Sequence, residues 1–276
     1  MTDICSTFKE LGQLIWDRMA AAKTHNLKWS EETSTETLLL ELMSRHGNQV
    51  TIEAFSKKKE AENGSDWEWW IMGAGGRWHG LRVQAKRLRP KEGVFWRLQE
   101  FKAARANDKQ IDTLIRSAEA SDLALIPIYC LYVTECERLK KWEFWATLAS
   151  QPKNGCQIAL ATEVKATATN CAGVILERSL PWQFLVCPGE VGETLGSEKL
   201  RSFGNHVHRR PGSPASGSDR EREFPEGLNQ PPPYMRSLLE GLDAGDRPRW
   251  PPSEALIARA REQNLRGFVL IRPSYR

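Results

Sequence analysis

Apolar residues at Phe8, Leu11, Leu14, Ile15, Met19 and Ala22 recur every three or four positions and predict an amphipathic helix over residues 5–25. Asn26 to Trp29 break the pattern. Ser30, followed by Glu31 and Glu32, is an N-cap with acids in the first turn, where the free N–H groups and the helix dipole favour them. Leu38, Leu39, Leu42 and Met43 carry a second helical stripe, closed by Gly47-Asn48. The period then changes to two. Val50–Phe55, Asp66–Met72 and Leu81–Leu88 read as strands, with a charged turn at 56–65 and a glycine-rich hairpin loop at 73–80. A helix follows near Lys109–Ala120. Ala124–Val133, nearly all apolar, has the pattern of a strand buried on both faces. Residues 143–149 suggest a short helix, and apolar runs recur at 157–162 and 182–187.

The pattern changes after residue 200. Nine of the fifteen prolines lie between Pro211 and Pro252, so 201–252 reads as a Pro/Gly-rich loop or linker. A final helix at 253–264 and strand at 267–272 return to the sheet. The expected organisation is an α/β domain over 1–200, the linker, and C-terminal elements at 253–276 that pack back on it.

Composition narrows the class. With 276 residues, 40% hydrophobic and 27% charged, the chain can bury a core, and a wholly disordered chain is excluded. No run reaches the ~18 apolar residues of a membrane helix, and the first residues lack a basic-then-apolar leader, so no membrane partner and a cytoplasmic location are expected. Six cysteines without a C-x-x-C pair are expected to be reduced and mostly buried. His206 and His208 are expected to be exposed, and His46 to complement the end of the second helix with partial positive charge.

Candidate chemistry centres on the hairpin. Gln84 and Lys86 are two apart on a strand and so share a face, with Val83 and Ala85 on the other. Pairing through the glycine loop brings Asp66 beside them. Glu68 lies on the side of Asp66, and Glu32 on the second helix is the acid expected to reach the site, with Glu36 in reserve. Phosphodiester cleavage calls for a hard cation that polarises the phosphate and activates a water. Magnesium is held by few carboxylates and keeps several waters. Glu32, Asp66, Glu68 and the Ala85 carbonyl are the candidate ligands for Mg2+ or Mn2+. Lys86 is placed to orient the water and offset charge growing on the phosphorane, and Gln84 offers an amide oxygen to the metal or orients the lysine. Gln110, heading the next helix, is a candidate wall of the site. Serine-nucleophile and P-loop motifs are absent from the sequence.

Asp66 followed across a hairpin by Gln84-Ala85-Lys86 resembles the PD-(D/E)xK nuclease superfamily, and most closely its Mrr-type branch, in which glutamine replaces the acid. The resemblance spans residues 30–135. It implies a restriction-endonuclease-like core, a central mixed sheet flanked by helices, and metal-dependent phosphodiester hydrolysis with Asp66, Gln84 and Lys86 as the catalytic set. The chain departs from the pattern at Ser65, where a proline precedes the aspartate in the family motif. By analogy the role is in bacterial defence or repair, and the fold admits a homodimer.

The following stretch suits a polyanion. Between Arg77 and Lys109 there are ten Lys/Arg against three acids, an excess of seven in a chain of net charge +4. Arg82, Arg87, Arg89 and Lys91 are the expected nucleic-acid contacts, with Trp78 and Trp96 available to stack on bases. DNA is expected ahead of RNA. The alternatives are a non-catalytic nucleic-acid-binding or assembly protein on the same fold, and an RNA-directed nuclease.

Overall fold

A computed structural model describes residues 3–55, 66–89, 91–95, 98, 109–123, 125–136, 153–187, 226–244, 252–263 and 265–274. Helix α1 (Ile4–Thr24) starts at Asp3, whose carboxylate accepts the Ser6 N–H at 2.9 Å. Helix α2 (Glu31–Arg45) starts at Ser30, whose hydroxyl oxygen accepts the Thr33 N–H at 3.1 Å. Both are the caps expected of short polar side chains before an apolar stripe. The two helices lay Phe8, Leu11, Ile15, Leu38 and Leu42 on one face of a sheet.

Among the described residues that sheet has eight strands: β1 (Val50–Ala54), β2 (Trp67–Met72), β3 (Trp78–Arg89), β4 (Val94–Phe95), β5 (Ile126–Tyr132), β6 (Cys156–Leu160), β7 (Leu180–Pro181) and β8 (Gly267–Ile271). The order is β1-β8-β2-β3-β5-β6-β7, with β4 paired to β3. β8 runs parallel to β2, β5 runs parallel to β3, and the other neighbours are antiparallel. Trp67, Trp69, Val83 and Ala85 face α1 and α2. On the opposite face, α3 (Gln110–Glu119), α4 (Ala161–Ala166) and α5 (Ala172–Leu176) cover Tyr129 and Leu131. Beside them α6 (Arg236–Ala244) and α7 (Glu254–Glu262) cover Trp70, Phe268 and Leu270. The molecule is thus mixed α/β, with helices on both sides of a mixed sheet.

The C-terminal strand is an interior member of the sheet. β8 sits between β1 and β2, and all five of its residues are buried. Gly267 permits this position, because a Cβ there would stand 2.3 Å from the Glu53 carbonyl and 2.4 Å from the Trp67 ring. The segment read as a linker is structured in part. Leu228 forms a backbone bridge to Trp78, and residues 236–244 are α6. Residues 201–225, with His206 and His208, and the expected helix at 143–149 lie outside the described residues. β3 begins three residues before the sequence suggests. The run at 157–162 divides into the end of β6 and the start of α4, and Trp182–Leu185 is a 3-10 turn.

Two expectations about side chains are corrected. Cys5 and Cys187 are joined in a disulfide, so the thiols are not all reduced. Of the four free cysteines, Cys130, Cys136 and Cys156 are buried, and burial pushes the Cys130 thiol up to about 12. His46 ends α2 but is buried, with Nε2 2.8 Å from the Thr7 hydroxyl. Burial, helped by Arg45, lowers its pKa, so it lends the helix end no charge at neutral pH.

Candidate functional site

β3 outruns β2. The antiparallel register begins at Trp67 opposite Val83, whereas β3 continues to Arg89. From Gln84 onward β3 has lost that neighbour, and its backbone groups on that edge need other partners. Asp66 stands at the break. Its N–H bonds the Val83 carbonyl at 2.9 Å, and its own carbonyl accepts the Arg266 N–H at 2.7 Å. Its carboxylate oxygen Oδ2 accepts the Ala85 N–H at 3.1 Å and the Gln84 side-chain amide at 2.7 Å. Asp66 and Gln84 are brought together as the hairpin argument expects, on the face opposite Val83 and Ala85.

The role expected of the Gln84 oxygen is corrected. Nε2 donates to Asp66 and lies 3.2 Å from the Ala85 carbonyl, and both of these partners can only accept. Oε1 therefore points the other way, where it accepts the Gln110 amide at 3.0 Å. Gln84 orients the aspartate and offers no oxygen to a metal beside it. Gln110, first residue of α3, does form the wall behind Gln84, and its Oε1 is buried without a hydrogen-bond partner among the described residues. Tyr129, opposite Gln84 on β5, has its buried hydroxyl in the same condition. Burial first, then Asp112 and Asp66, hold its phenol above its ordinary value.

Charge converges on the break from three elements. Arg266, just before β8, places Nε 3.4 Å from Asp66 Oδ1 and Nη2 3.7 Å from Glu32 Oε1. Glu32 thus reaches the site from the first turn of α2, while Glu36 is exposed. Glu31 joins it, a residue the helical stripe did not select. Burial raises its pKa, Lys86 opposes the rise, and Asp66 and Glu32 add to it. Lys86, two residues beyond Gln84 on β3, is 7% exposed. Arg266 carried no sequence signal, because its place depends on the register of a strand two hundred residues from Asp66.

Glu68 is corrected as a metal ligand. It shares the Asp66 face but lies one repeat deeper, under α6 and α7, and is 0% exposed. Its carboxylate meets Arg82 at 3.2 Å, the Trp70 indole N–H at 2.8 Å and the Tyr234 hydroxyl. Arg82, also 0% exposed, reaches Gln263 at 3.2 Å and is therefore no nucleic-acid contact. Trp78 is core, at 4% exposure, and Trp96 lies outside the described residues.

The remaining expected contacts gather past Lys86. Half-buried Arg87 donates to the Trp29 carbonyl, Arg89 pairs with Glu92 at 3.3 Å, and Lys91 is exposed. With Lys23 they line a cleft of about 270 Å³ between the end of α1 and the end of β3, which also touches Met19 and Glu92.

Among the described residues no group of three or more His, Cys, Asp and Glu side chains is gathered as a metal cage. Two carboxylates drawn to one guanidinium nonetheless fit a hard divalent cation in charge and donor type. Such a cation in hydrolytic sites takes one or two carboxylates and completes its shell with water and phosphate. The Arg266 guanidinium already holds positive charge between Asp66 and Glu32.

The chain belongs to a family of unknown function, DUF6615, whose sequence profile matches residues 4–272. The match runs from the start of α1 past the end of β8, so the acids of α2, the hairpin and Arg266 lie in one family unit. No significant match to a curated protein exists. Among the described residues no helix is long and apolar enough to cross a membrane.

Proposed function

We propose that the protein is a metal-dependent phosphodiester hydrolase of the PD-(D/E)xK class, with a restriction-endonuclease-like core and DNA as its substrate. The observation that carries this reading is the meeting of Asp66, Gln84 and Glu32 at the point where β3 runs on without β2, with Lys86 buried two residues beyond Gln84 on the same strand. Asp66 and Glu32 would hold Mg2+ or Mn2+, with the Ala85 carbonyl close by. The bound ion supplies Lewis acidity at the phosphate and lowers the pKa of a water to the range where it attacks at neutral pH.

The chain's own residues do the rest. Gln84 and the Ala85 N–H fix the orientation of the Asp66 carboxylate, so that one face of it stays presented to the site. Gln110 fixes Gln84 in turn. Lys86 brings a positive charge to the site, where it steadies the attacking water and the charge that grows on phosphorus. Arg87, Arg89, Lys91 and Lys23 offer the adjoining backbone phosphates a basic cleft, and counterion release favours a polyanion there.

Plasmid cleavage tests the reading. Wild type is expected to nick or linearise supercoiled DNA with Mg2+ or Mn2+ and to be inert in EDTA. Asp66→Ala and Lys86→Ala are each expected to lose at least about a hundredfold, the scale of removing one positioned charge. Equal cleavage by all three proteins removes the assignment, and preference for an RNA of the same sequence moves the substrate. One observation favours the non-catalytic nucleic-acid-binding alternative: Arg266 already neutralises the Asp66–Glu32 pair. Salt-sensitive DNA binding untouched by Asp66→Ala, without cleavage, would establish it.

A further inference from the structure

Arg266 is anchored more firmly than a surface arginine. Its N–H bonds the Asp66 carbonyl and its carbonyl accepts the Phe55 N–H, each at 2.7 Å. These bonds fix its Cα between β1 and β2, and Gly267 lets the backbone approach that closely. From there the guanidinium extends to Asp66 and Glu32, at 3.4 and 3.7 Å. Two acids from distant elements thus meet on one cation supplied by a third.

The charge balance explains why a cation is needed there. Glu32 and Asp66 bring two carboxylates from different elements to the end of the sheet, each within 3.7 Å of the same guanidinium. A carboxylate pair held together without a counter-charge repels. Arg266 supplies that charge from within the chain. A divalent ion on the same carboxylates makes the guanidinium surplus, and a dication and a guanidinium on one carboxylate pair repel each other. A guanidinium prefers a planar or tetrahedral oxyanion that accepts two of its N–H groups, and the phosphodiester is such a partner.

We infer that Arg266 is a resident counter-ion of the Asp66–Glu32 pair that a divalent cation displaces, and that the displaced guanidinium then binds the substrate phosphate. This rests on the hydrolase reading and adds to it a residue from the C-terminal strand with two successive partners. The site is thereby closed to loose metal binding until ion and phosphate are both present, since each supplies what the other takes away.

The test uses the full chain. Mn2+ binding is measured by electron paramagnetic resonance of the free ion for wild type, Arg266→Gln, Arg266→Lys and Asp66→Asn. Binding of a labelled duplex is measured by fluorescence anisotropy in Ca2+. Arg266→Gln is expected to bind Mn2+ about tenfold tighter than wild type and the duplex about tenfold more weakly, a coupling of ordinary size. Arg266→Lys keeps the charge without the fork, and should bind Mn2+ as wild type does while losing duplex affinity. Circular dichroism confirms that each variant is folded, and Arg266→Met, which also removes the charge and carries the same Mn2+ and duplex expectations, replaces the glutamine variant if that one is not. Mn2+ affinity unchanged or weaker in folded Arg266→Gln, while wild-type binding still depends on Asp66, overturns the counter-ion role and leaves the hydrolase reading standing. Unchanged duplex affinity in both variants overturns the phosphate role. Wild-type Mn2+ binding indifferent to Asp66→Asn overturns the hydrolase reading, and this inference with it.

Discussion

Gln84 gives its side-chain N–H to Asp66 at 2.7 Å, and in doing so turns its oxygen away from the place a metal ligand would use. The glutamine therefore acts on the carboxylate rather than beside it. Gln84→Glu replaces this hydrogen bond with two facing carboxylates, one of which must take up a proton or a counter-ion. The variant is expected to melt several degrees below wild type in EDTA at pH 7.5, and to be raised by Mg2+ more than wild type is. Calorimetry with and without the ion reads both effects. An unchanged melting temperature in EDTA would mean that the Gln84–Asp66 bond contributes nothing.

Glu68 and Arg82 form a charge pair with no solvent exposure. Removing one member strands the other. Arg82→Met is expected to cost about 3–5 kcal/mol in urea unfolding, and the double variant Glu68→Leu/Arg82→Met much less than the single changes added together. Duplex affinity of whatever protein remains folded should match wild type, since neither side chain reaches the surface.

His46 and His79 give stability a definite pH dependence. Burial, with Arg45 and Arg77 respectively, holds both imidazoles below the ordinary value of 6.5. The unfolded chain therefore takes up protons first as pH falls below about 6.5, and stability, complete above that pH, declines down toward the folded values. Glu31 and Glu53, raised by burial, oppose this at lower pH, because their protonation relieves a charge the fold disfavours. In a Glu31→Gln/Glu53→Gln background, which removes the opposing groups, urea midpoints should fall as pH drops below about 6.5, and His46→Gln should flatten the slope. A midpoint that rises on acidification would contradict the buried, neutral assignment.

The Cys5–Cys187 disulfide ties the first turn of α1 to the chain after the 3-10 turn at Trp182, across 182 residues. Trp182 packs on Phe8 with ring centroids 4.2 Å apart and donates to the Phe8 carbonyl at 2.7 Å, so packing already holds these ends together. Reduction is expected to lower stability by about 2–4 kcal/mol without unfolding the chain. Melting with and without dithiothreitol reads the difference, and Cys5→Ser should abolish it.

Local pattern explains why the hairpin and its companions were legible. Ser30 before two acids, the period-two run of β3 and the glycines between two strands each reflect forces within a few residues. That alternation suffices to put Gln84 and Lys86 on one face with Asp66 beside them at the head of the neighbouring strand. It also put Glu68 and Arg82 on that face, but whether they meet solvent depends on α6 and α7, which return from more than 150 positions away. The burial of Arg82 and the place of Arg266 escape local pattern for the same reason: the covering segment and the β2–β8 register leave no mark near either residue. Glu31 carried a signal of a kind. It is the first residue of α2, and a helix N-terminus aimed at the sheet end presents its first acid there, whatever stripe the helix buries.

The metal locus is the core of the account, and a Mn2+ soak of crystals of the full chain examines it directly. The account predicts an anomalous peak at about 2.1 Å from an Asp66 carboxylate oxygen, at bonding distance for a hard divalent ion, with Glu32 turned toward it. A soaked crystal in which Mn2+ is bound elsewhere and the Asp66 carboxylate keeps its bonds to Gln84, Ala85 and Arg266 with no ion beside it would contradict it.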